Sequence, residues 1–169
     1  YPPKIPYEII VIDNSVDNVG FAKGNNKGIK KAKGEYVLLL NSDTLVKKGA
    51  LDKLLKFAMS RSDAGVIGAR LLNSDGSTQE SVSNLPTVWG AIKEYWLGEK
   101  SVFGQYAPKI DSPQQVESVV GAAFLITPKA LKRVGWLNEK YFMYFEDLDY
   151  CRRVRKAGLK IYYLPEAEV

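Results

Sequence analysis

The stretch "LLLNSDTLVKKG", residues 38–49, runs three leucines into a carboxylate flanked by small polar residues. An apolar run from Tyr36 to Leu40 with no alternation is what a strand covered on both faces requires. Its abrupt end on Asn41-Ser42-Asp43 puts a carboxylate at the carboxyl end of that strand, where ligands gather in open α/β sheets. With no histidine nearby, such a carboxylate suits a hard cation. Mg²⁺ or Mn²⁺ is commonly held by one or two carboxylates together with substrate phosphates. Asn and Asp also serve as ordinary turn residues before Thr44, and spacing alone leaves both readings open.

Outward from this stretch the chain alternates strand and helix patterns. Upstream, Glu8–Ile12 reads as a short buried strand ending in the turn residues Asp13-Asn14-Ser15. The segment "GFAKGNNKGIKKAKG" follows, with Gly20, Gly24 and Gly28 four apart and Gly34 as the residue that closes a helix. It is neither GxGxxG nor a Walker A loop, because no Gly-Lys-Ser/Thr follows. Downstream, Leu51, Leu54, Leu55 and Ala58 fall at i, i+3, i+4 and i+7 and predict an amphipathic helix ended near Gly65. Residues 65–69 then read as a strand. From "RLLNSDGSTQESVSNLPT", which begins at Arg70, to about Pro113 the periodicity dissolves into turns, with a short helix expected around Val88–Leu97. This is the variable, substrate-facing part. "ESVVGAAFLIT" restores a strand, followed by Thr127 as N-cap and Pro128 at the first helical position of a helix ending at Gly135. A last helix runs from Glu146 through Leu148, Cys151 and Val154 to Gly158, and a last strand from Lys160 to Leu164. Strands alternating with helices predict an α/β domain with a mostly parallel central sheet.

The composition removes many chemistries. The 169 residues suffice for one domain with a proper core, and 46% hydrophobic with 25% charged is ordinary for a globular protein. The chain has no histidine, which excludes Ser-His-Asp and Cys-His catalysis and HExxH zinc sites. Its single cysteine, Cys151, excludes an internal disulfide and any CxxC site. Acid–base chemistry is left to carboxylates, Lys, Tyr or a substrate. The net charge of +5 attracts anions generally, but no basic–aromatic module points to nucleic acid. Lys23, Lys27, Lys30 and Lys31 recur at helical spacing, as a solvated helix face does. No apolar run reaches the roughly 20 residues that span a bilayer, and no signal peptide is evident.

A second candidate site lies in "YFMYFEDLDYCRR". Glu146, Asp147 and Asp149 begin a helix, where the helix dipole stabilises acids. An aromatic rim of Trp136, Tyr141, Phe142, Tyr144 and Phe145 beside them also suits a sugar hydroxyl that needs a general base. Such aromatics serve a core equally well. Arg152 and Arg153 follow within two turns, placed to orient the acids, to meet phosphate or to make surface ion pairs.

Taken together and in this order, "VIDNS", "NVGFAKGNNKGIKKAKGEYVLLLNSDT", "RLLNSDGSTQ" and the segment from "VVGAAFLITPKALKRVGWLNEKYFMYFEDLDYCRR" to Val169 resemble the family 2 glycosyltransferases, in particular their rhamnosyltransferase-like branch. The resemblance covers most of the chain outside residues 80–115. It implies the GT-A fold and transfer of a sugar from a nucleotide diphosphate sugar, dTDP-rhamnose being one candidate, with inversion at the anomeric carbon. The implied acceptor is a hydroxyl of a glycan or lipid-linked molecule in cell-surface polysaccharide synthesis. By position, Asp13 resembles the acid that contacts the nucleotide base, with Asn14, Asn18, Gly20 and Asn25 around it on the donor side. Asn41-Ser42-Asp43 resembles the DxD-type motif, Asp43 being the metal and diphosphate ligand and Asn41 standing in the first position. Gly121-Ala122-Ala123 resembles the segment lining the donor sugar and acceptor site. Glu146-Asp147 resembles the ED motif, with Asp147 the base. A lipid-linked acceptor and the basic helix face together imply a cytoplasmic protein peripherally associated with the inner face of the membrane.

The resemblance also shows gaps. Relatives carry a strand and helix before the segment equivalent to Tyr1-Pro2-Pro3, a helix and strand where only Val16-Asp17 stand here, and an extension beyond Val169. A GT-A domain over residues 1–169 is therefore expected to be incomplete at its nucleotide-binding half. That keeps open a non-catalytic nucleotide- or glycan-binding remnant of the same fold. A phosphatase of the DxDxT kind requires an aspartate nucleophile where Asn41 stands.

Overall fold

A computed structural model describes residues 1–87 and 104–169; the helix expected at Val88–Leu97 lies outside the described residues. In chain order the elements are α1 (Phe21–Lys31), β1 (Val37–Leu40), α2 (Ala50–Ser60), β2 (Ala64–Arg70), β3 (Val82–Ser83), β4 (Gln105–Tyr106), β5 (Gln114–Val116), β6 (Ser118–Val119), β7 (Ala123–Ile126), α3 (Pro128–Val134), α4 (Glu146–Lys156) and β8 (Lys160–Glu168). The central sheet has the order β1-β7-β2-β8-β5, and a small second sheet the order β4-β3-β6.

Period-two alternation sorts the core onto the two faces of the central sheet. Val66, Phe124, Ile126, Ile161 and Tyr163 pack with α1, α3 and α4 through Ala22, Ile29, Ala130, Tyr150 and Val154. Their neighbours Ile67, Leu125, Tyr162 and Leu164 pack on the opposite face against Ala50, Leu54 and Ala58 of α2.

The α/β class stands, but the pairing is mixed rather than mostly parallel. Among the described strands only β2 and β8 run parallel, while β7 is antiparallel to both β1 and β2, and β5 to β8. Parallel pairing needs a long crossover; β7 is entered instead from the short turn after β6. That turn, Val120–Ala122, divides what the sequence presented as one strand, "ESVVGAAFLIT".

Other boundaries move for local reasons. Residues 8–12 form no strand, and Ile9 and Val11 are 77% and 83% exposed. The segment instead lies along α1, with Ile12 over Gly28 and the Asn14 side chain over Gly24. Helix α1 ends at Lys31 with Ala32 as its extended cap, so Gly34 does not close it. The N–H groups of Lys33 and Gly34 donate to the Glu8 carboxylate at 2.6 and 3.0 Å. Helix α2 stops at Ser60, because Gly65 belongs to β2. Strand β8 continues past Leu164 to Glu168, since Pro165 falls where the register with β2 shifts and no ladder N–H is needed. Thr127 caps α3 as expected, accepting from the Ala130 N–H at 3.3 Å.

One buried polar residue ties these layers to the site. Asn26 is 1% exposed in α1; its amide donates to Leu137 O and Glu139 Oε1, both at 2.9 Å, and accepts from the Leu137 N–H at 3.0 Å. Asn26→Leu strands the Leu137 groups, so unfolding in urea is expected at lower concentration, with a loss of about 2–3 kcal/mol. A variant as stable as the parent would show that this tether carries no weight.

Candidate active site

Three elements converge at the carboxyl end of β1. The N–H of Asn41 donates to Ala122 O at 3.0 Å. In the same turn, the N–H of Gly121 donates to Asp147 Oδ2 at 3.1 Å, and Asp147 Oδ1 accepts from the Leu148 N–H at 2.8 Å. The leucine run, the Val120–Ala122 turn and the start of α4 are thus joined by hydrogen bonds. The packing at Gly121 is close: a Cβ would stand 3.1 Å from the tip of the Phe21 ring, which would have to shift by a few tenths of an ångström, and in ordinary contact, 3.8 Å, with Asp147 Cβ.

The electrostatics separate the acids. Burial pushes the Asp147 carboxyl above its ordinary value, partly offset by the N–H groups of Leu148 and Gly121 that favour the anion. Glu146, 5% exposed, is also raised by burial, and its Oε2 has no hydrogen-bond partner among the described residues. Asp13 is exposed and held below the ordinary carboxylate value by the Ser15 hydroxyl at 2.5 Å and the Ser15 N–H at 2.9 Å. Burial lifts the Cys151 thiol to about 12, so it is no nucleophile.

The backbone before Asp147 is held unusually. Tyr144 and Phe145 have φ of 68° and 65°, a region that bulky L-residues rarely adopt. Helix α1 anchors this loop. Gly20, at φ 82°, lies so close to the loop that a Cβ would stand 2.2 Å from Phe142 O, and the Phe21 N–H donates to that oxygen at 2.8 Å.

The donor-side residues partly assemble. Asn14 accepts from the Val19 N–H at 3.1 Å and donates to Asn18 Oδ1 at 3.1 Å, while Asn18 Oδ1 also accepts from the Gly20 N–H at 3.0 Å. Asn14, Asn18 and Gly20 therefore form one short loop beside Asp13, at the N-terminus of α1. Asn25 turns back on its own helix, donating to Phe21 O at 3.0 Å. Asp43 is exposed two residues beyond Asn41, and no bond among the described residues links it to Asp13 or Asp147.

Among the described residues no group of three acidic, Cys or His side chains could hold a metal. One exposed carboxylate beside Asn41 and Ser42 fits a Mg²⁺ or Mn²⁺ that takes its other ligands from a bound diphosphate and water. Arg153 pairs with Asp149 at 2.8 Å and donates to Val134 O and Trp136 O, so it braces α4 against the loop after α3. Arg152 stands apart from Asp147, lining a basic depression with Leu85, Pro86, Glu117, Arg155 and Lys156. Sequence reasoning missed Asn26 and Phe21. Asn26 had a legible signal, because Ala22, Asn26 and Ile29 occupy one helical stripe in which only the asparagine is polar.

The fold is the GT-A nucleotide-diphospho-sugar transferase fold. The chain superposes on the crystal structure of GalNAc-T7 with UDP, GalNAc and Mn²⁺ at a TM-score of 0.64 and 13% identity, over 88% of this chain and 30% of that one. Residues 4–169 match the family described as glycosyltransferase like family 2, and the chain belongs to that family. It is 28% identical over 152 residues to the low-salt glycan biosynthesis hexosyltransferase Agl10 of Haloferax volcanii, covering 88% of this chain and 47% of the relative. It is 29% identical over 141 residues to the N-acetylglucosaminyl-diphospho-decaprenol L-rhamnosyltransferase of Mycobacterium tuberculosis, covering 80% and 46%. It is 28% identical over 156 residues to the rhamnosyltransferase WbbL of Escherichia coli, covering 86% and 58%. Rhamnosyltransferases are thus among the curated relatives it matches, and it spans about half the length of these relatives.

Proposed function

We propose that this chain carries the transfer site of an inverting glycosyltransferase that moves a sugar from a nucleotide diphosphate donor to a hydroxyl of a glycan or lipid-linked acceptor. The observation that carries this reading is the bonded path Asn41–Ala122 and Gly121–Asp147, which sets a half-buried carboxylate beside the strand end bearing Asp43. Asp147 removes the acceptor proton as the hydroxyl attacks the anomeric carbon, and the nucleoside diphosphate leaves from the opposite face. Asp43 would hold Mg²⁺ or Mn²⁺ against the diphosphate. That ion supplies charge neutralisation for the leaving group. The loop of Asp13, Asn14, Asn18 and Gly20 would receive the nucleotide. The rhamnosyltransferase names among the matched relatives support dTDP-rhamnose as the first donor to try, and one such name specifies a diphospho-decaprenol carrier. Cell-surface polysaccharide synthesis is the setting consistent with both.

The test is a panel of nucleotide sugars with Mg²⁺ or Mn²⁺ and an acceptor, read as release of nucleoside diphosphate. Metal-dependent release is expected from one donor, weakened at least tenfold in Asp43→Asn. Saturable donor binding with no product from any pair would favour the non-catalytic remnant.

The pH profile gives a second check. A carboxyl whose value is raised by burial loses its proton only above the ordinary 3.8, so Asp147 acts as a base only above that raised value. The acid limb of kcat/KM is expected above pH 3.8, with activity falling as pH drops through it. A limb at or below 3.8 would contradict a desolvated base.

A further inference from the structure

We propose that the face built from α1 and the 136–145 loop docks on an anionic lipid surface, presenting the Asp147 site at the level of a membrane-borne acceptor. The lipid-linked acceptor rests on the function proposed above; the docking face stands on its own geometry.

The loop runs antiparallel along the helix. Lys30 Nζ lies 4.6 Å from the centroid of the Trp136 ring, Asn26 bonds Leu137 and Glu139, and Phe21 bonds Phe142. Lys23, Lys27 and Lys30 recur at i, i+4 and i+7, so they share one helix face, and all three are exposed. Lys30 over Trp136 fixes that face as the one beside the loop. The loop adds exposed Lys140, and Glu139 is its one acid.

The apolar members are not packed inward. Trp136 is 47% exposed, Phe142 58%, Met143 48%, Tyr144 72% and Phe145 60%. Single exposed aromatics are ordinary, but a continuous run of them marks an interaction surface. The left-handed φ values at Tyr144 and Phe145 hold two of these rings outward on a constrained backbone. Aromatic rings beside lysines match the headgroup level of a bilayer, where rings settle and ammonium groups meet anionic lipid. Among the described residues no helix is long and apolar enough to cross a membrane, and the contact proposed is of the face with the bilayer surface. Asp147 follows Phe145 by two residues, which keeps the candidate base near the plane the rings would enter.

The experiment is co-sedimentation of the full chain with vesicles of phosphatidylcholine alone or mixed with phosphatidylglycerol. Binding to the mixed vesicles only, weakening with salt, is expected. Removing three charges as Lys23→Gln, Lys27→Gln and Lys30→Gln should lower partitioning about a hundredfold. Phe145→Ser should weaken it without changing its salt dependence. The same number of charges removed from Lys53, Lys56 and Lys132 on α2 and α3 should leave it nearly unchanged.

Binding to neither vesicle would overturn the proposal and assign the face to a protein partner. Equal binding to both vesicles, or equal loss from the α2 and α3 substitutions, would overturn it as well. Sugar transfer to a water-soluble acceptor is followed in parallel. Transfer preserved in the triple variant while vesicle binding is lost supports docking as a separate property. Vesicle binding that persists where no donor is ever turned over retires the transferase reading and leaves the docking face standing.

Discussion

Asp147→Asn is expected to lower the rate of sugar transfer by about 10²–10⁴-fold, the usual contribution of a positioned general base. The substitution is nearly isosteric, so the change isolates the proton-accepting role. The amide oxygen still accepts from either the Leu148 or the Gly121 N–H, and one of the two bonds is lost. That loss costs about 1 kcal/mol, and the removal of a desolvated charge partly offsets it. The variant should therefore melt near the parent temperature and bind donor as before while nucleoside diphosphate release collapses. Turnover at the parental rate would remove Asp147 from the base role and turn attention to Glu146.

Gly20→Ala is expected to have the largest structural effect of any single methyl group added near the site. Its φ of 82° is strained for alanine, and the new Cβ would stand 2.2 Å from Phe142 O, a backbone atom with no rotamer to change. Strain of about 1–3 kcal/mol adds to displacement of the Phe21–Phe142 hydrogen bond. For a chain of this length each kcal/mol shifts Tm by about 2–4 °C, so the strain alone should lower the melting temperature by roughly 2–12 °C. Transfer should fall with it, because the loop that moves leads directly into Glu146-Asp147. Gly24→Ala is the control. It lies within α1, where a Cβ would meet nothing closer than 3.6 Å, and alanine favours the helix. Equal behaviour of the two variants would dissolve the argument that Gly20 anchors the loop.

How far the sequence alone could go is clear at particular residues. The helices were legible because their signals are local: the leucine spacing of α2, Thr127-Pro128 at the start of α3, the acids at the start of α4. The carboxylate beyond β1 was legible for the same reason, since an apolar run that stops on Asn41-Ser42-Asp43 needs no tertiary information to be noticed. Glu8–Ile12 was misread because β-rich composition shows only the capacity to form a strand. Whether a neighbour supplies a ladder is a non-local fact, and here the segment meets α1 instead. The break at Gly121 was hidden inside "VVGAAFLIT", an apolar run that a strand and a tight turn can share. The juxtaposition of Gly121 with Asp147 spans 26 positions in sequence, and only the family resemblance hinted at it. Arg153 could have braced, bound or orienter roles by its chemistry; its two carbonyl partners decide for bracing.

The paired left-handed residues before Asp147 bear on any effort to improve this protein. Glycine at position 144 or 145 would relax the backbone, and a stability screen would select it. Yet both rings stand largely in the open, at 72% and 60% exposure, so internal packing does not account for keeping them. Unfavourable torsions tolerated without a core to compensate are the mark of a stability–activity trade-off. Consensus or thermostability engineering that relaxes Tyr144-Phe145 is therefore expected to yield a sturdier molecule with a poorer site.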